Sequence, residues 1–136
     1  MNKPFDKGLY AEYDQKAKTV AIKWLQTFGI EAVENPDQFG VDLLASNGRK
    51  FEVEVKTSWT GSEFPFQTVR VAGRKRDMFD ATTWLIQLNN ELSHCIVIDP
   101  YKLAVADHVT IDTKYSEQET FLEIPLSGFF IYPTNS

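Results

Sequence analysis

Residues 41–56 read Val-Asp-Leu-Leu-Ala-Ser-Asn-Gly-Arg-Lys-Phe-Glu-Val-Glu-Val-Lys. The second half of this stretch alternates strictly. Phe51, Val53 and Val55 fall on one face of a strand, and Glu52, Glu54 and Lys56 on the other. The first half gives Val41, Leu43 and Ala45 one side and Asp42 and Leu44 the other. A two-residue Asn47-Gly48 turn would set Leu43 against Glu52 and Val41 against Glu54, mixing apolar and charged side chains on both faces. A three-residue Ser46-Asn47-Gly48 loop, with Gly48 in the left-handed conformation, shifts the register by one. Leu43 then faces Phe51, Val41 faces Val53, and Asp42 faces Glu52 with Glu54 one diagonal step away. The three-residue loop is therefore expected, and it places Asp42, Glu52, Glu54 and Lys56 on a common face.

Directly opposed residues lie ~5 Å apart and diagonal ones ~7–8 Å. Carboxylates gathered this closely on a half-buried sheet repel one another and lose solvation. Lys56 offsets one charge, and a hard divalent cation with oxygen ligands would offset the rest. Such a set suits phosphodiester hydrolysis. The acids hold Mg²⁺ or Mn²⁺, the ion activates a water, and the amine orients that water or stabilises the developing charge. The plain alternative is a strand whose Glu-x-Glu-x-Lys side faces water.

Several elements must position these residues. Tyr13, Ala17, Val20, Ala21, Trp24 and Phe28 form one stripe at helical spacing, so residues 8–28 read as a helix, with Gly29 as its stop. Ile30 to Glu34 is a short strand closed by Asn35-Pro36-Asp37. Thr57 to Phe66 is a loop, Thr68 to Val71 a strand, and Gly73 to Ala81 a short basic helix. Thr83 to Leu88 and His94 to Ile98 are strands, and Asp99-Pro100 is a turn. The last third reads as short strands. One helix, a run of strands, a short helix and more strands describe an α/β (mixed α+β) chain with a central mixed β-sheet flanked by helices.

The chain has 136 residues and a formal net charge of −5, with 43% hydrophobic and 24% charged residues. These values fit a single domain, 1–136, with a sizeable core, and not a disordered chain. One cysteine, Cys95, excludes an internal disulfide framework and a multi-cysteine zinc site. His94 and His108 lack metal-ligand spacing, and no Gly-x-Ser-x-Gly elbow or Gly-rich phosphate loop occurs. Without a secretory leader or a membrane-length apolar run, a cytoplasmic protein with no membrane partner is expected. The acidic balance argues against an indiscriminate nucleic-acid coat. Yet residues 49–76 hold seven basic residues against three acidic ones, so a positive segment sits in an otherwise acidic chain. That segment is either a localised polyanion site or a solvated face.

On these residues the chain resembles the PD-(D/E)XK nuclease superfamily. The match consists of Asp42, then Glu54-Val55-Lys56 on the next strand, preceded by an amphipathic helix ending at Gly29. Asp42 is preferred over Asp37 for the motif's aspartate, because Asp42 lies in a strand with a register partner and Asp37 in a turn. The resemblance spans about residues 8–100. It implies a restriction-endonuclease-like core and a metal-dependent DNA endonuclease. Asp42, Glu54 and the Val55 carbonyl would bind Mg²⁺ or Mn²⁺, and Lys56 would serve the water. Glu52 faces the same way but is outside the usual motif. It is a further candidate ligand.

In size and layout the chain is similar to small Holliday-junction-resolvase-like members of the superfamily, which implies action on junction or branched DNA. Those proteins usually carry a glutamate on the first helix. Glu12 is the candidate here, although Lys16 at i+4 offers it an ordinary surface ion pair, and Lys18 stands nearer the expected position. Ser58, Arg70, Arg74, Lys75 and Arg76 are candidate contacts to DNA phosphates. Arg70, alternating with Val69 and Val71, is placed on the polar face with the acids. Trp59, Phe64 and Phe66 either stack against bases or pack in the core. Cutting two strands with so small a domain calls for two copies, so a homodimer is expected. The reading from another class is a nuclease-fold module that binds DNA or a protein partner without cutting.

Overall fold

The Leu43–Phe51 pairing is the first feature of the architecture, and it is the one the alternating pattern demands. In the computed structural model, which describes residues 7–73, 79–111 and 119–135, β2 (Leu43–Ala45) pairs antiparallel with β3 (Lys50–Val55). Leu43 faces Phe51, and Leu44 faces Lys50. Ser46, Asn47 and Gly48 form the connecting loop. Gly48 has φ of +87°, where a Cβ would be strained, and its N–H donates to the Ala45 carbonyl at 3.1 Å. The expected three-residue loop and register are therefore present.

The remaining elements are α1 (Lys7–Gln26), β1 (Ala32–Glu34), β4 (Thr68–Ala72), β5 (Thr83–Leu88), β6 (His94–Ile98), α2 (Pro100–Val105), β7 (Asp107–Ile111), β8 (Glu119–Pro125) and β9 (Tyr132–Pro133). A mixed six-stranded sheet runs β1-β2-β3-β5-β6-β9, and a separate three-stranded sheet runs β4-β8-β7. β3 and β5 are parallel, and the other neighbouring pairs are antiparallel. The chain is thus mixed α/β. Among the described residues, no helix is long and apolar enough to cross a membrane.

Strand alternation sorts two cores onto the two faces of the large sheet. Phe51, Val53, Ile86, Leu88 and Cys95 pack with Ala17, Ala21, Trp24 and Leu25 of α1. Leu85, Ile96 and Ile98 point the other way and pack with Val69, Val71, Leu122 and Ile124 of the small sheet. The large sheet therefore has α1 on one face and, on the other, a second sheet that shares its core with Leu103 of α2, so a small sheet that was not expected joins the expected helices. The reason is that the connection from β3 to β5 carries β4 out of the main sheet to pair with β8.

Three local expectations also change. Asp99 and Pro100 do not make a plain turn. They start α2, where Asp99 caps the helix by accepting from the Lys102 N–H at 2.8 Å and Pro100 takes its first position. Residues 79–81 are not helical; Asp80 instead anchors a turn to Thr82 and Thr83. Residues 74–78 of the expected basic helix lie outside the described residues. Phe28 lies past the end of α1 and is exposed, while Leu25 takes the buried place at the end of the stripe.

The left-handed Gly48 gives a direct test. Gly48→Ala should lower stability by about 1 kcal/mol, read as a reduced urea midpoint with an unchanged m-value.

Candidate metal-binding and hydrolytic site

The register carries Glu52 and Glu54 to the face of β3 that the small sheet covers, and the cross-strand neighbour of Glu54 on β5 is Gln87. Asp42 precedes the first residue of β2. There the backbone ladder gives way to side-chain bonds. The Asp42 N–H donates to Glu52 Oε1 at 3.1 Å, and the Val53 N–H donates to Asp42 Oδ2 at 2.8 Å. The expected Asp42–Glu52 facing is thus realised through carboxylates that substitute for backbone carbonyls. Glu52 is only 4% exposed, so its charge is taken largely out of water.

Lys18 reaches this group from α1. Its ammonium lies 3.2 Å from Asp14 and 3.7 Å from the Asp42 Oδ1 atom. Burial pulls the Lys18 pKa down, but the Asp14 hydrogen bond and the charges of Asp14, Asp42 and Glu34 more than offset this and raise it overall. Glu12 lies elsewhere. Two residues from Asp14 is about 200° round a helix, and Glu12 makes an exposed pair with Lys16 at 3.8 Å. Sequence reasoning named Lys18 only as a departure from a pattern and did not consider Asp14. The i,i+4 spacing of Asp14 and Lys18 on a helix adjoining the acid strand was the available signal.

Glu54 is half-buried and accepts from Gln87 Nε2 at 2.9 Å. The same amide donates to the Arg70 carbonyl at 3.1 Å. Both partners are acceptors, so the amino group must face them and the oxygen must point away. Gln87 is 0% exposed, and among the described residues nothing donates to its Oε1. A buried acceptor without a donor costs about 1–3 kcal/mol. Gln87 was missed by sequence reasoning; a lone polar residue within Leu85-Ile86-Gln87-Leu88 was its signal.

Lys56 follows β3 directly, and its ammonium rests 4.9 Å from the centre of the Phe66 ring. Burial lowers its pKa, the Glu54 charge opposes this, and the Arg70 charge adds to the lowering. Arg70 does not share the acid face. Val69 and Val71 face the large sheet, so Arg70 points outward from β4 and pairs with Glu123 of β8 at 2.8 Å. Its carbonyl accepts from Gln87, and its charge also reaches Lys56. Trp59 and Phe64 are core residues, stacked edge-to-face at 5.1 Å, whereas Phe66 is exposed. Val55 is half-buried at the end of β3, and Ser58 is exposed just beyond it. Arg74, Lys75 and Arg76 lie outside the described residues.

Asp42, Glu52, Glu54, Gln87 and Lys56 therefore gather at one side of the β3–β5 pair, but each carboxylate is held by a protein group. As they stand, no three His, Cys, Asp or Glu side chains among the described residues converge closely enough to hold an ion. The donor set is nonetheless all oxygen, the type a hard divalent cation takes. A cleft of about 1000 Å³ lies elsewhere. It opens at the other end of β3 and β5, among Arg49, Asp80, Trp84, Tyr101 and His108, and includes none of the expected site residues. No protein-family profile matches the chain, and no curated protein matches it.

The lowered pKa of Lys56 has a stability consequence. Between its folded value and the ordinary lysine value, the folded protein binds fewer protons than the unfolded chain, so stability rises with pH through that window. Below the window the charged amine is a net cost. Lys56→Met should therefore raise the urea midpoint at neutral pH and remove the alkaline rise, as followed by denaturation at a series of pH values.

Proposed function

We propose that the protein is a metal-dependent DNA endonuclease that hydrolyses phosphodiester bonds at the Asp42–Glu54–Lys56 face. The observation that carries this reading is the pairing of β2 with β3. It brings an aspartate, a Glu-x-Lys strand and a half-buried amine to one side of a mixed sheet. The order of α1, β1, β2 and β3, with Asp42 leading into β2 and Glu54 and Lys56 at the end of β3, is compatible with a restriction-endonuclease-like core. Membership of the PD-(D/E)XK superfamily is proposed on the same residues.

In this reading Asp42 and Glu54 hold Mg²⁺ or Mn²⁺, with the Val55 carbonyl beside them. When bound, the ion polarises a phosphoryl oxygen and lowers the pKa of a water. Lys56 orients that water or stabilises the charge that develops on the phosphate. Its lowered pKa favours giving and taking a proton. Glu52, turned inward to the Asp42 N–H, holds the aspartate's main chain in place. Ser58 and the Arg74–Arg76 segment bind substrate phosphates, and exposed Phe66 contacts bases. Junction or branched DNA is the narrower substrate proposal. With a cytoplasmic location, two copies of the chain would act on the two strands.

One observation favours a second reading. Lys18 already supplies a positive charge to Asp42. A site neutralised in this way suits a nuclease-fold module that binds DNA or a protein without cutting it.

Incubation with branched, linear, nicked and single-stranded DNA, with Mg²⁺ and with EDTA, separates the two. The nuclease reading expects cleavage that EDTA stops. It also expects a fall of at least about 10³-fold in Asp42→Ala and Glu54→Ala, with both variants folded by circular dichroism. Binding without cleavage under every condition favours the second reading. Undiminished Mg²⁺-dependent cleavage by Glu54→Ala removes the first.

A further inference from the structure

We propose that the cleft at the start of β3 and β5 binds a nucleoside phosphate, with Arg49 holding the phosphate and Tyr101 stacking on the base. The cleft lies at the opposite end of these strands from Glu54 and Lys56. The inference therefore stands without the nuclease reading and needs no metal ion.

The charge balance of the wall points to an anion. Asp80 and Asp99 are the carboxylates that line the cleft, and both are already bonded. Asp80 accepts from the Lys50 ammonium at 2.6 Å and from the Thr82 and Thr83 hydroxyls at 2.6 and 3.0 Å. Asp99 accepts from the Lys102 N–H at 2.8 Å and from its ammonium at 2.9 Å. Arg49 is the opposite case. Its guanidinium lies over the Trp84 ring, 4.7 Å from the centre, and no acceptor holds it among the described residues. Asn47 adds a second donor beside it, because its Oδ1 accepts from the Arg49 N–H at 3.0 Å and leaves Nδ2 for a ligand. The wall thus offers donors and no open carboxylate, which suits an acceptor-rich anion. The Trp84 face holds the guanidinium in place before the ligand arrives, so less freedom is lost on capture.

Size and ring surface select the anion. A guanidinium pairs with a carboxylate or a phosphate. A cleft of about 1000 Å³ is at the upper end of small-ligand sites and takes a base, a sugar and a phosphate together. An inorganic anion or a single-ring acid would leave most of it filled with water. Tyr101 lines the cleft with its side chain 74% exposed, a free ring face on which a base can stack. A free nucleotide and the end of a nucleic-acid strand present these same groups.

The test is calorimetric titration of the full chain, in EDTA, with adenosine 5′-monophosphate, adenosine, benzoate and a 5′-phosphorylated trinucleotide. The monophosphate should bind at least about tenfold more tightly than adenosine or benzoate. Arg49→Gln should bring the monophosphate down to the level of adenosine and leave adenosine itself within a few-fold. Tyr101→Ala should weaken both by about tenfold. Both residues are exposed, so both variants should keep the wild-type thermal midpoint. A trinucleotide that binds more tightly than the monophosphate, with the same two losses, makes the ligand a strand end; equal or weaker binding makes it a free nucleotide. Failure of both phosphate-bearing ligands to bind overturns the proposal. So does a monophosphate no tighter than adenosine or benzoate, or affinity unchanged by either substitution. EDTA removes divalent ions and no cleavage is read, so failure here leaves the nuclease reading untouched, and failure of that reading leaves this one.

Discussion

A strand has two faces, and a slip of one residue exchanges them. Everything at the candidate site depends on that slip being forbidden between β2 and β3. Gly48 accepts a backbone conformation that other residues resist, so Ser46, Asn47 and Gly48 close the hairpin with three residues. The apolar pair Leu43 and Phe51 then meets over α1. The acids are carried to the opposite side as a result, with no attraction of their own drawing them there. Hydrophobic burial on one face sets the charge on the other.

That charge is expensive, and the protein meets the cost with hydrogen bonds. Glu52 lies between two sheets and is bonded to the Asp42 N–H. Asp42 is bonded to the Val53 N–H and approached by Lys18, and Glu54 is bonded to Gln87. Donors of this kind stabilise a carboxylate that has left water. They also restrict it to one geometry, which is what an ion or a scissile phosphate needs from its ligands. Lys56 is treated differently. It keeps a partly desolvated amine with a ring below it, a poor arrangement for stability.

What could be read from the sequence was whatever repeats with a simple period. The helix stripe from Tyr13 to Trp24, the alternation of residues 51–56 and the turn at Gly48 follow local rules, and the structure has all three. What escaped was tertiary. Arg70 does sit on the polar side of its strand, but β4 belongs to a second sheet, so its guanidinium pairs with Glu123 of β8 and reaches the candidate site only as a charge felt at Lys56. Nothing within Thr68–Val71 says which sheet the strand will join. Gln87 and Lys18 were hidden because their meaning depends on a neighbour far along the chain. The Asp99-Pro100 start of α2 was legible in principle, since an aspartate cap followed by proline is a helix signal as well as a turn signal. Six residues of helix after it were too few to show a stripe.

Lys56 and its acidic neighbours also differ in how firmly they are held. Glu54 is gripped by an amide that is itself fixed to the Arg70 main chain, and Asp42 is pinned to the β3 backbone. The ammonium of Lys56 rests on Phe66 by an attraction of about 0.5–1 kcal/mol, close to thermal energy. The anionic half is therefore a rigid floor and the cationic half a swinging arm. A negatively charged guest would find the first already set and would recruit the second on arrival, at the speed of a side-chain rotation rather than of a loop movement.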